Sequence, residues 1–339
     1  MMHIGLIDVD GHNWPHLCLM KLSAYHKERG DTVEWWTPEG RYDLVYKSRV
    51  FTDLYSKDTI AVNNAGRVLL GGTGYGLSVK LPYNIEHIYP DYPLYPQFSD
   101  TAYGFLTRGC FRNCGFCAVT AKEGAQSVKN ADLAEFWRGQ REIKLMDANL
   151  LACPDREELL KQLAESRAYV DFTQGLDCRL LDADIIGAIN RVRVKEMRFA
   201  WDSVADNEAV LRGLRQYAAL AKRKPHGRYA TVYVLANYNS THAEDLYRVE
   251  TLRAMGYDPF LMVYDRLSAP PVTRQLQRWV NNKRIFGAIS DFKDYIPGRI
   301  GGKAHGQDRQ AQRGLGESRG KSGPMAGAGK GHQAADHRD

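Results

Sequence analysis

A short apolar strand followed by an amphipathic helix recurs six times between residues 103 and 264, and this alternation restricts the fold more than any other feature of the chain. The predicted strands cover residues 103–107, 142–146, 169–173, 196–200, 231–236 and 259–264. Helix starts between them carry capping pairs, namely Asp155 with Glu158 and Thr241 with Glu244. Such alternation forms a parallel sheet, and six units predict a partial (βα)6 barrel rather than a closed eight-stranded one.

The first 80 residues predict a second, smaller α/β unit. Strands are predicted at residues 3–9, 32–36, 44–50 and 67–70, with a helix at residues 15–28 that ends before Gly30. We therefore expect a small Rossmann-like parallel sheet domain over residues 1–80. Residues 81–99 interleave four prolines with four tyrosines, which excludes a regular helix and predicts an extended, aromatic-anchored linker into a barrel domain at residues 100–296.

The last 42 residues differ in composition from the rest of the chain. Residues 298–339 include eleven glycines, eight basic residues, four acidic residues and almost no large apolar side chain. Such a segment buries too little surface to fold, so we expect a disordered, Gly-rich basic tail over residues 297–339. Because this tail carries most of the net charge of +6, the folded part needs no basic face, and nucleic acid is not indicated as a partner.

Hydropathy and cysteine usage indicate the compartment. No apolar run approaches the roughly 18 residues that a membrane span requires, and Asp8 and Asp10 interrupt the apolar start before a signal-peptide core can form. Six cysteines in so long a chain, with no secretion signal, argue against a disulfide framework. We therefore expect a cytoplasmic protein with no membrane partner.

Three of the cysteines, Cys110, Cys114 and Cys117, crowd into eight positions directly after the first predicted barrel strand. A structural zinc site needs four protein ligands, and the sequence offers no second cysteine pair. The isolated Cys153 and Cys178 are interpreted as small buried hydrophobic residues. Three thiolates in one loop suit a [4Fe-4S] cluster that keeps one iron free of protein ligands, and a free iron is a place for a substrate to bind.

This C-x3-C-x2-C run resembles the signature of the radical S-adenosylmethionine (radical SAM) superfamily at each of its three cysteines. The resemblance implies that the cysteines hold the cluster, that the unique iron binds the amino and carboxylate groups of SAM, and that Phe116 packs near the adenine. It also implies reductive cleavage of SAM to a 5′-deoxyadenosyl radical that abstracts hydrogen from an unknown substrate, with an electron donor such as a flavodoxin or ferredoxin. Because such a radical reacts with solvent, we expect an enclosed site at the mouth of the barrel.

Polar residues follow the predicted barrel strands at their carboxyl ends, where parallel barrels bind ligands. By the resemblance, Asp147 and Asn149 lie where family members bind the SAM amino group, although the Gly-Gly-Glu often found there is absent. The other candidate cofactor-binding residues are Gln174, Asp177, Arg179 and Asp202. Each alone is more typical of a turn or a helix cap, and it is their recurrence that favours a site. No residue outside the cluster is assigned as a catalytic acid or base.

The N-terminal unit resembles the cobalamin-binding-like domain of some radical SAM enzymes. After its first strand it has Asp10 and His12 of the D-x-H-x-x-G cobalt-ligand motif, but Pro15 replaces the glycine. We favour His12 as a loop residue that caps the following helix over His12 as an axial cobalt ligand, which leaves cobalamin as the less favoured cofactor. The glycine-rich residues 71–76 do not match a dinucleotide-binding motif and are expected to form only a tight turn.

The sequence therefore predicts a cytoplasmic radical SAM enzyme with a [4Fe-4S] cluster and SAM. Alternatives within the class are a cobalamin-dependent methyltransferase and a tRNA-modifying enzyme similar to the methylthiotransferases, which would want a second cluster and an RNA-binding domain. An alternative from another class is a non-catalytic zinc or nucleic-acid-binding protein, which would account for Arg108, Arg112 and the basic helix at residues 274–284. We interpret that helix instead as one that covers the barrel with its charges solvated.

Overall fold

The computed structural model describes residues 1–297. Residues Met1–Tyr295 form one compact unit, and a second unit begins at Ile296. Within the described residues the compact unit contains a four-stranded sheet, a six-stranded sheet and a two-stranded ribbon. The tail expected over residues 297–339 lies outside the described residues, apart from Pro297.

The N-terminal sheet confirms the predicted small parallel unit. Its strands are β1 (His3–Asp8), β2 (Thr32–Trp35), β3 (Tyr42–Ser48) and β4 (Ala65–Gly71). All neighbours are parallel, in the order β2-β1-β3-β4. Helix α1 (Leu17–Glu28) covers one face, where Leu19 and Leu22 share an apolar cluster with Ile4 and Leu6. Burial of each of these side chains contributes roughly 2 kcal/mol, which holds the helix on the sheet.

Residues 81–99 form short helical turns, so the extended backbone predicted from their prolines is wrong, whereas the predicted anchoring through aromatic side chains is confirmed. Helix α2 (Tyr83–Glu86) comes first, and 3-10 turns cover Tyr92–Leu94 and Pro96–Phe98. Proline suits the first turn of a helix because an N–H there has no intrahelical acceptor. Tyr95 is 1% exposed and donates from its hydroxyl to the carboxylate of Asp8 (2.8 Å), so this segment is anchored to the N-terminal sheet through buried contacts.

The chain leaves the larger sheet soon after entering it. The first barrel strand and the antiparallel ribbon after it are β5 (Thr101–Gly104), β6 (Thr107–Arg108) and β7 (Val128–Lys129). The strand predicted over residues 103–107 is therefore split in two. The physical reason is the Asp147 carboxylate, which accepts from the backbone N–H groups of Leu106 and Thr107 and so turns the backbone away from the sheet.

The other barrel strands lie close to their predicted positions. They are β8 (Glu142–Leu145), β9 (Tyr169–Phe172), β10 (Val194–Ala200), β11 (Ala230–Ala236) and β12 (Asp258–Val263). Every neighbouring pair is parallel, in the order β12-β11-β10-β9-β8-β5. The order of these six strands in the sheet therefore follows their order along the chain, and all six carboxyl ends lie at one edge.

Helices connect and cover these strands. They are α3 (Val119–Glu123), α4 (Arg156–Ser166), α5 (Ala183–Ile189), α6 (Asn207–Leu220), α7 (His242–Ala254), α8 (Pro271–Asn281) and α9 (Lys283–Ala288). The capping pair at Thr241 and Glu244 is confirmed, whereas Asp155 makes no capping hydrogen bond and that prediction is wrong. Trp279 of α8 is fully buried, so this basic helix packs on the core as predicted. None of the helices in residues 1–297 is long and apolar enough to cross a bilayer.

Candidate functional site

The loop between β6 and β7 carries the three clustered cysteines, beyond the carboxyl end of β5. Gly109 begins it with a φ of +88°, and a Cβ there would lie 2.1 Å from the carbonyl oxygen of Gln126. Only glycine allows so close an approach of two backbones. The Cys110 N–H then donates to the carbonyl of Gly124 (3.2 Å). The two ends of the loop are thereby tied together, and the thiols lie on the segment between them.

One of the three loop thiols, that of Cys114, is affected by a carboxylate from another strand. Cys110 and Cys114 are half-buried, Cys117 is exposed, and all three are free. Burial, followed by the charges of Asp202 and Cys117, raises the pKa of the Cys114 thiol above its usual value. Such a thiol keeps its proton until a metal displaces it. The effect of Asp202 also places the carboxyl end of β10 beside the loop.

The donor set of three thiols in one loop is of the kind that holds an iron–sulfur cluster, in which each thiolate binds a different iron. Next to the loop, Asn149 Oδ1 is buried with no hydrogen-bond partner in this part of the chain. A buried acceptor without a donor marks a place where a further polar group fits.

Asp177 ties the cysteine loop to the ends of the neighbouring strands. Its carboxylate accepts from Arg112 Nε in the loop (2.7 Å) and from Arg179 Nε (2.7 Å), and Arg179 Nη1 donates onward to Asp206 (2.9 Å). Burial opposes ionisation of Asp177, but the two guanidiniums outweigh it and leave the pKa of this carboxyl below its usual value. An ionised carboxylate at the centre of charge-assisted hydrogen bonds therefore holds the loop in place.

Asn149 lies between this charged network and the first cysteine. Its Nδ2 is 3.5 Å from Cys110 Sγ and 3.4 Å from Asp177 Oδ2. The structure thus brings together Asn149, Asp177 and Arg179, three of the predicted cofactor-binding residues, beside a predicted cluster ligand. That they bind SAM stays a prediction.

Asp147, predicted beside the SAM amino group, is engaged within the protein itself. Its side chain is buried and accepts from the N–H groups of Leu106 and Thr107 and from the Thr107 hydroxyl (2.7 Å). Burial raises the pKa of this carboxyl to about 6, against the effect of these hydrogen bonds. In the structure, this carboxylate fixes the point at which the chain leaves β5 for the cysteine loop.

Asp202 and Gln174 complete the predicted set and differ in their surroundings. Burial raises the pKa of Asp202 to about 6, while the charges of Arg179 and Arg248 partly oppose it. Its neighbours among the described residues act on this carboxylate through charge rather than through a hydrogen bond, so its oxygens keep unused acceptor capacity. Gln174 lies exposed at the turn after β9, and its predicted role in binding a cofactor stays a prediction.

Phe116 lies in a group of aromatic side chains over the loop. Its ring centroid is 5.1 Å from that of Tyr238, which is 4.8 Å from that of Tyr264, and both pairs meet edge to face. A Cβ on Gly115 would lie 2.5 Å from the Tyr238 hydroxyl, so the loop passes directly under this tyrosine. Because the tyrosines follow β11 and β12, the group links the loop to the far strands and suits a flat ring.

Arg112 contacts the site, although the sequence suggested a role for it only in the zinc or nucleic-acid-binding alternative. As well as Arg112 pairing with Asp177, Arg108 pairs with Glu86 and Glu123, each at 2.9 Å. Both arginines are thus used in internal ion pairs, which removes their support for the nucleic-acid-binding alternative. The position of Arg112 between Cys110 and Cys114 in the sequence is the feature that could have indicated its place in the site. Cys153 and Cys178, by contrast, are 0% and 1% exposed, and their interpretation as buried residues is confirmed.

The loop after β1 lies at the carboxyl edge of the small sheet. The His12 ring is exposed and lies 4.2 Å from the Trp35 ring. The expectation that His12 caps α1 is wrong, because His16 occupies the N-cap and no side chain caps the helix. Burial lowers the pKa of His16 to about 4, and its Nε2 has no hydrogen-bond partner among the described residues. Nearby, Gly72 has a φ of +89°, which confirms the tight turn predicted at residues 71–76.

Comparison with known proteins identifies a relative by fold alone. No protein-family profile matches the chain, and no curated protein sequence matches it. Among solved structures it is similar to the radical S-adenosylmethionine methyltransferase TsrM from Kitasatospora setae, with cobalamin and a [4Fe-4S] cluster bound. The TM-score is 0.56 at 11% identity, over 77% of this chain and 74% of that chain. The protein therefore shares the fold of this radical SAM methyltransferase over about three quarters of each chain.

Proposed function

We propose that this protein is a radical SAM enzyme in which Cys110, Cys114 and Cys117 hold a [4Fe-4S] cluster. The observation that carries the proposal is the loop of three free thiols at the carboxyl edge of a six-stranded parallel sheet. Parallel α/β folds bind their ligands at this edge because the connecting loops converge there. The fold relative, itself a radical SAM methyltransferase with such a cluster, supports the same class of chemistry.

In this proposal the chain's own residues position the reactants. When bound and reduced, the cluster supplies the electron that cleaves SAM to the 5′-deoxyadenosyl radical, which takes hydrogen from the substrate. Asp177 holds Arg112 and thereby fixes the loop that carries the thiols. Asn149 and Asp202 offer unused acceptor atoms to the amino group of SAM, and Phe116 offers an aromatic edge to its adenine.

The free thiols also support a cytoplasmic location, and the proposed cluster requires an electron donor as a partner. All six cysteines are free, as expected of a protein kept in the reducing cytoplasm. Turnover there requires a one-electron donor such as a flavodoxin or ferredoxin. The substrate is the part of the reaction for which the site gives no chemical identity.

The test is anaerobic reconstitution of the chain with iron and sulfide, followed by reduction with dithionite in the presence of SAM. We expect a brown protein that bleaches on reduction and forms 5′-deoxyadenosine. Cys114→Ala is expected to lose both the colour and the product. Cys153→Ala, which removes a buried thiol outside the loop, is the matched control and is expected to keep both.

Two results would contradict this function. A colourless protein that binds zinc through the three loop cysteines would favour the non-catalytic alternative. A cluster that forms equally well in Cys114→Ala would place the iron elsewhere in the chain.

Cobalamin-dependent methyl transfer is the second candidate. The fold relative was solved with cobalamin bound. This supports cobalamin more strongly than the sequence did, which made it the less favoured cofactor. In this chain the carboxyl edge of the small sheet exposes His12 beside Trp35, and exposed apolar side chains follow β3 at Val50, Phe51 and Leu54. An imidazole next to uncovered apolar surface suits a large flat ligand that carries a metal. His12 would then hold cobalamin, whose bound metal supplies methyl-transfer chemistry.

The absorption spectrum of added hydroxocobalamin separates the two candidates without any assay of turnover. Cobalamin that stays with the chain through gel filtration supports the second candidate. A spectrum that changes in His12→Ala would indicate that His12 holds the cobalamin. Cobalamin that separates completely from the reconstituted chain leaves the radical SAM proposal intact and removes methyl transfer through cobalamin.

A further inference from the structure

The amino-terminal edge of the six-stranded sheet holds a cavity of about 370 Å³, at the end of the strands away from the cysteine loop. It is formed where the chain enters β8, β9 and β10. The residues that line it are Trp137, Gly139, Gln140, Arg141, Ser166, Arg167, Ala168, Tyr169 and Arg193. A volume of this size falls within the range of small-molecule sites, roughly 300–1,000 Å³.

The cavity is positively charged. Arg141, Arg167 and Arg193 line it, and no acidic residue does. None of the three guanidiniums forms an ion pair with any residue in 1–297. At the opposite edge of the same sheet, by contrast, Arg112 and Arg179 are both paired with Asp177. Of these two groups of arginines, only the one at the amino-terminal edge lacks acidic partners among the described residues.

The arginines are held in position by aromatic and backbone contacts. The Arg193 guanidinium lies 4.1 Å from the Tyr169 ring centroid and donates through Nη1 to the carbonyl of Arg167 (2.9 Å). Arg141 lies 5.9 Å from the same ring. The Tyr169 ring and the Arg167 carbonyl together restrict the Arg193 guanidinium, which lowers the entropy that this side chain loses when it binds a ligand.

The end of helix α4 explains only part of this arrangement. Basic side chains are favourable near a helix C-terminus, and Arg193 satisfies one of the free carbonyls there. The side chains of Arg141 and Arg167 donate no hydrogen bond to any of the described residues. Arg167 moreover adopts a left-handed conformation (φ 56°) that usually favours glycine. Both side chains are exposed, as is Arg193, so the cavity is open and the donors of Arg141 and Arg167 face solvent, where a ligand can reach them.

We propose that this cavity binds a small ligand that carries a phosphate group. Three guanidiniums without acidic partners offer the planar, bidentate donors that match phosphate oxygens, and arginine is the side chain best suited to that geometry. The phosphate can belong to a free inorganic anion or to a nucleotide, because the cavity residues recognise the phosphate in either case. The site is independent of the iron–sulfur chemistry proposed above and lies at the other edge of the sheet.

Isothermal titration of the full-length chain with pyrophosphate and, separately, with ATP tests the site and distinguishes the two sources. We expect saturable binding of at least one probe, and tighter binding of ATP if the natural ligand is a nucleotide. Arg141→Gln and Arg193→Gln are each expected to weaken binding by about tenfold or more, because a charge-assisted hydrogen bond is lost. Arg212→Gln, an exposed arginine of α6 outside the cavity, is the matched control and is expected to bind as the unaltered chain does.

Failure of this site is separable from failure of the proposed function, because the titration needs neither iron nor SAM and is repeated with Cys114→Ala. Absence of saturable binding of both probes at millimolar concentration would overturn the site. Equal weakening in Arg212→Gln would reduce it to general charge attraction and overturn it as well. Binding of a single-stranded RNA oligonucleotide but of neither small probe would also overturn it, in favour of an extended surface.

Discussion

The two parallel sheets both end in loops rich in polar residues, and they use those residues differently. At the carboxyl edge of the small sheet the polar groups bond to one another. The Asp10 carboxylate accepts from Val50 N–H (2.5 Å), and Asp58 accepts from the Tyr75 hydroxyl (2.5 Å) and pairs with Lys47 (2.6 Å). These carboxylates are thus engaged within the protein, although His16 Nε2 and Ser48 Oγ at the same edge have no hydrogen-bond partner among the described residues.

At the carboxyl edge of the six-stranded sheet, two side chains keep hydrogen-bond acceptors that no described residue uses. Asp177 is fully engaged by two arginines, but the buried Asn149 Oδ1 receives no hydrogen bond and Asp202 is partly buried with unused acceptors, within the described residues. Buried acceptors are almost always satisfied in native proteins, so an unfilled one indicates a missing partner. The difference teaches that polar residues at strand ends indicate a site only where their hydrogen bonds are not already complete.

The largest loss of stability is expected from a substitution at the carboxyl edge of the small sheet. Gly72→Ala places a Cβ 2.2 Å from the carbonyl oxygen of Arg49, in a residue with a φ of +89°. Backbone strain and overlap together are expected to lower the free energy of unfolding by about 4 kcal/mol, measured by urea denaturation. Gly11→Ala, with a φ of +87° and no atom within 4 Å of its Cβ, is the matched control and should cost only about 1 kcal/mol. Equal losses would mean that the two loops do not pack as described.

The next-largest loss of stability is expected from removal of the Asp177 charge at the carboxyl edge of the six-stranded sheet. Asp177→Asn leaves Arg112 and Arg179 facing a neutral amide in a largely buried position. Removal of one member of a buried ion pair is expected to lower the free energy of unfolding by about 3 kcal/mol, again in urea. The variant should also take up less iron on reconstitution, because the loop loses its tie to β9. Unchanged stability would show that the cysteine loop is held by its backbone alone.

A smaller effect is expected in the pH dependence of stability, through Asp202 at the carboxyl edge of the six-stranded sheet. Burial raises the pKa of Asp202 to about 6 from an ordinary value of 3.8, so the folded state binds this proton before the unfolded state does. The contribution of Asp202 to the free energy of unfolding is therefore expected to rise as pH falls from about 7 toward 4, whereas the buried His16, whose pKa is lowered to about 4, contributes a slope of opposite sign. Asp202→Asn should flatten this rise and add about 1–2 kcal/mol at pH 8, since no charge remains to be buried.

The pH series needs a control for simple charge removal. Asp265→Asn changes an exposed carboxylate after β12 and is expected to leave the slope as it is. A residual slope in Asp202→Asn is also expected, because burial raises the pKa of Asp8 and of Asp147 to about 6 as well. An identical slope in the Asp202 variant and the unaltered chain would contradict its burial.

The smallest effect is expected at Asp53, which pairs with Arg49 at the small sheet. The Asp53 side chain is 79% exposed, and exposed ion pairs contribute little because solvent screens them. Arg49 also keeps its hydrogen bonds to the carbonyls of Ser56 (3.1 Å) and Gly74 (2.8 Å). Asp53→Asn is therefore expected to leave the urea midpoint almost unchanged, and a loss as large as that of Asp177→Asn would remove the distinction between the two edges.

Much of the fold could be predicted from the sequence because strand and helix periodicity is a local property. The parallel strands of both sheets and the capping box at Thr241 follow from neighbouring residues. The errors arose where distant contacts decide the backbone. Tyr95 anchors residues 81–99 as buried turns through Asp8, and Asp147 splits the first barrel strand by binding Thr107.

The candidate site was predictable in its chemistry but not in its geometry. The spacing of Cys110, Cys114 and Cys117 indicated three thiol ligands, and the strand-end positions of Asn149 and Asp177 indicated polar neighbours. Which of these neighbours keeps an unfilled acceptor depends on partners elsewhere in the chain. The same holds for the arginine cavity, whose three charges come from the entries to three different strands.

The sequence by itself determined the alternation of strands and helices, the three-thiol loop and the burial of Cys153 and Cys178, because spacing and side-chain polarity are already present in the unfolded chain. Only the tertiary structure decided how the polar groups pair. Arg112 and Asp177 are 65 residues apart, and their ion pair exists because parallel strands bring their carboxyl ends to one edge. The same topology gathers Arg141, Arg167 and Arg193 at the other edge. Hydrogen-bond satisfaction is a property of this assembled arrangement, and so is the capacity to bind a ligand.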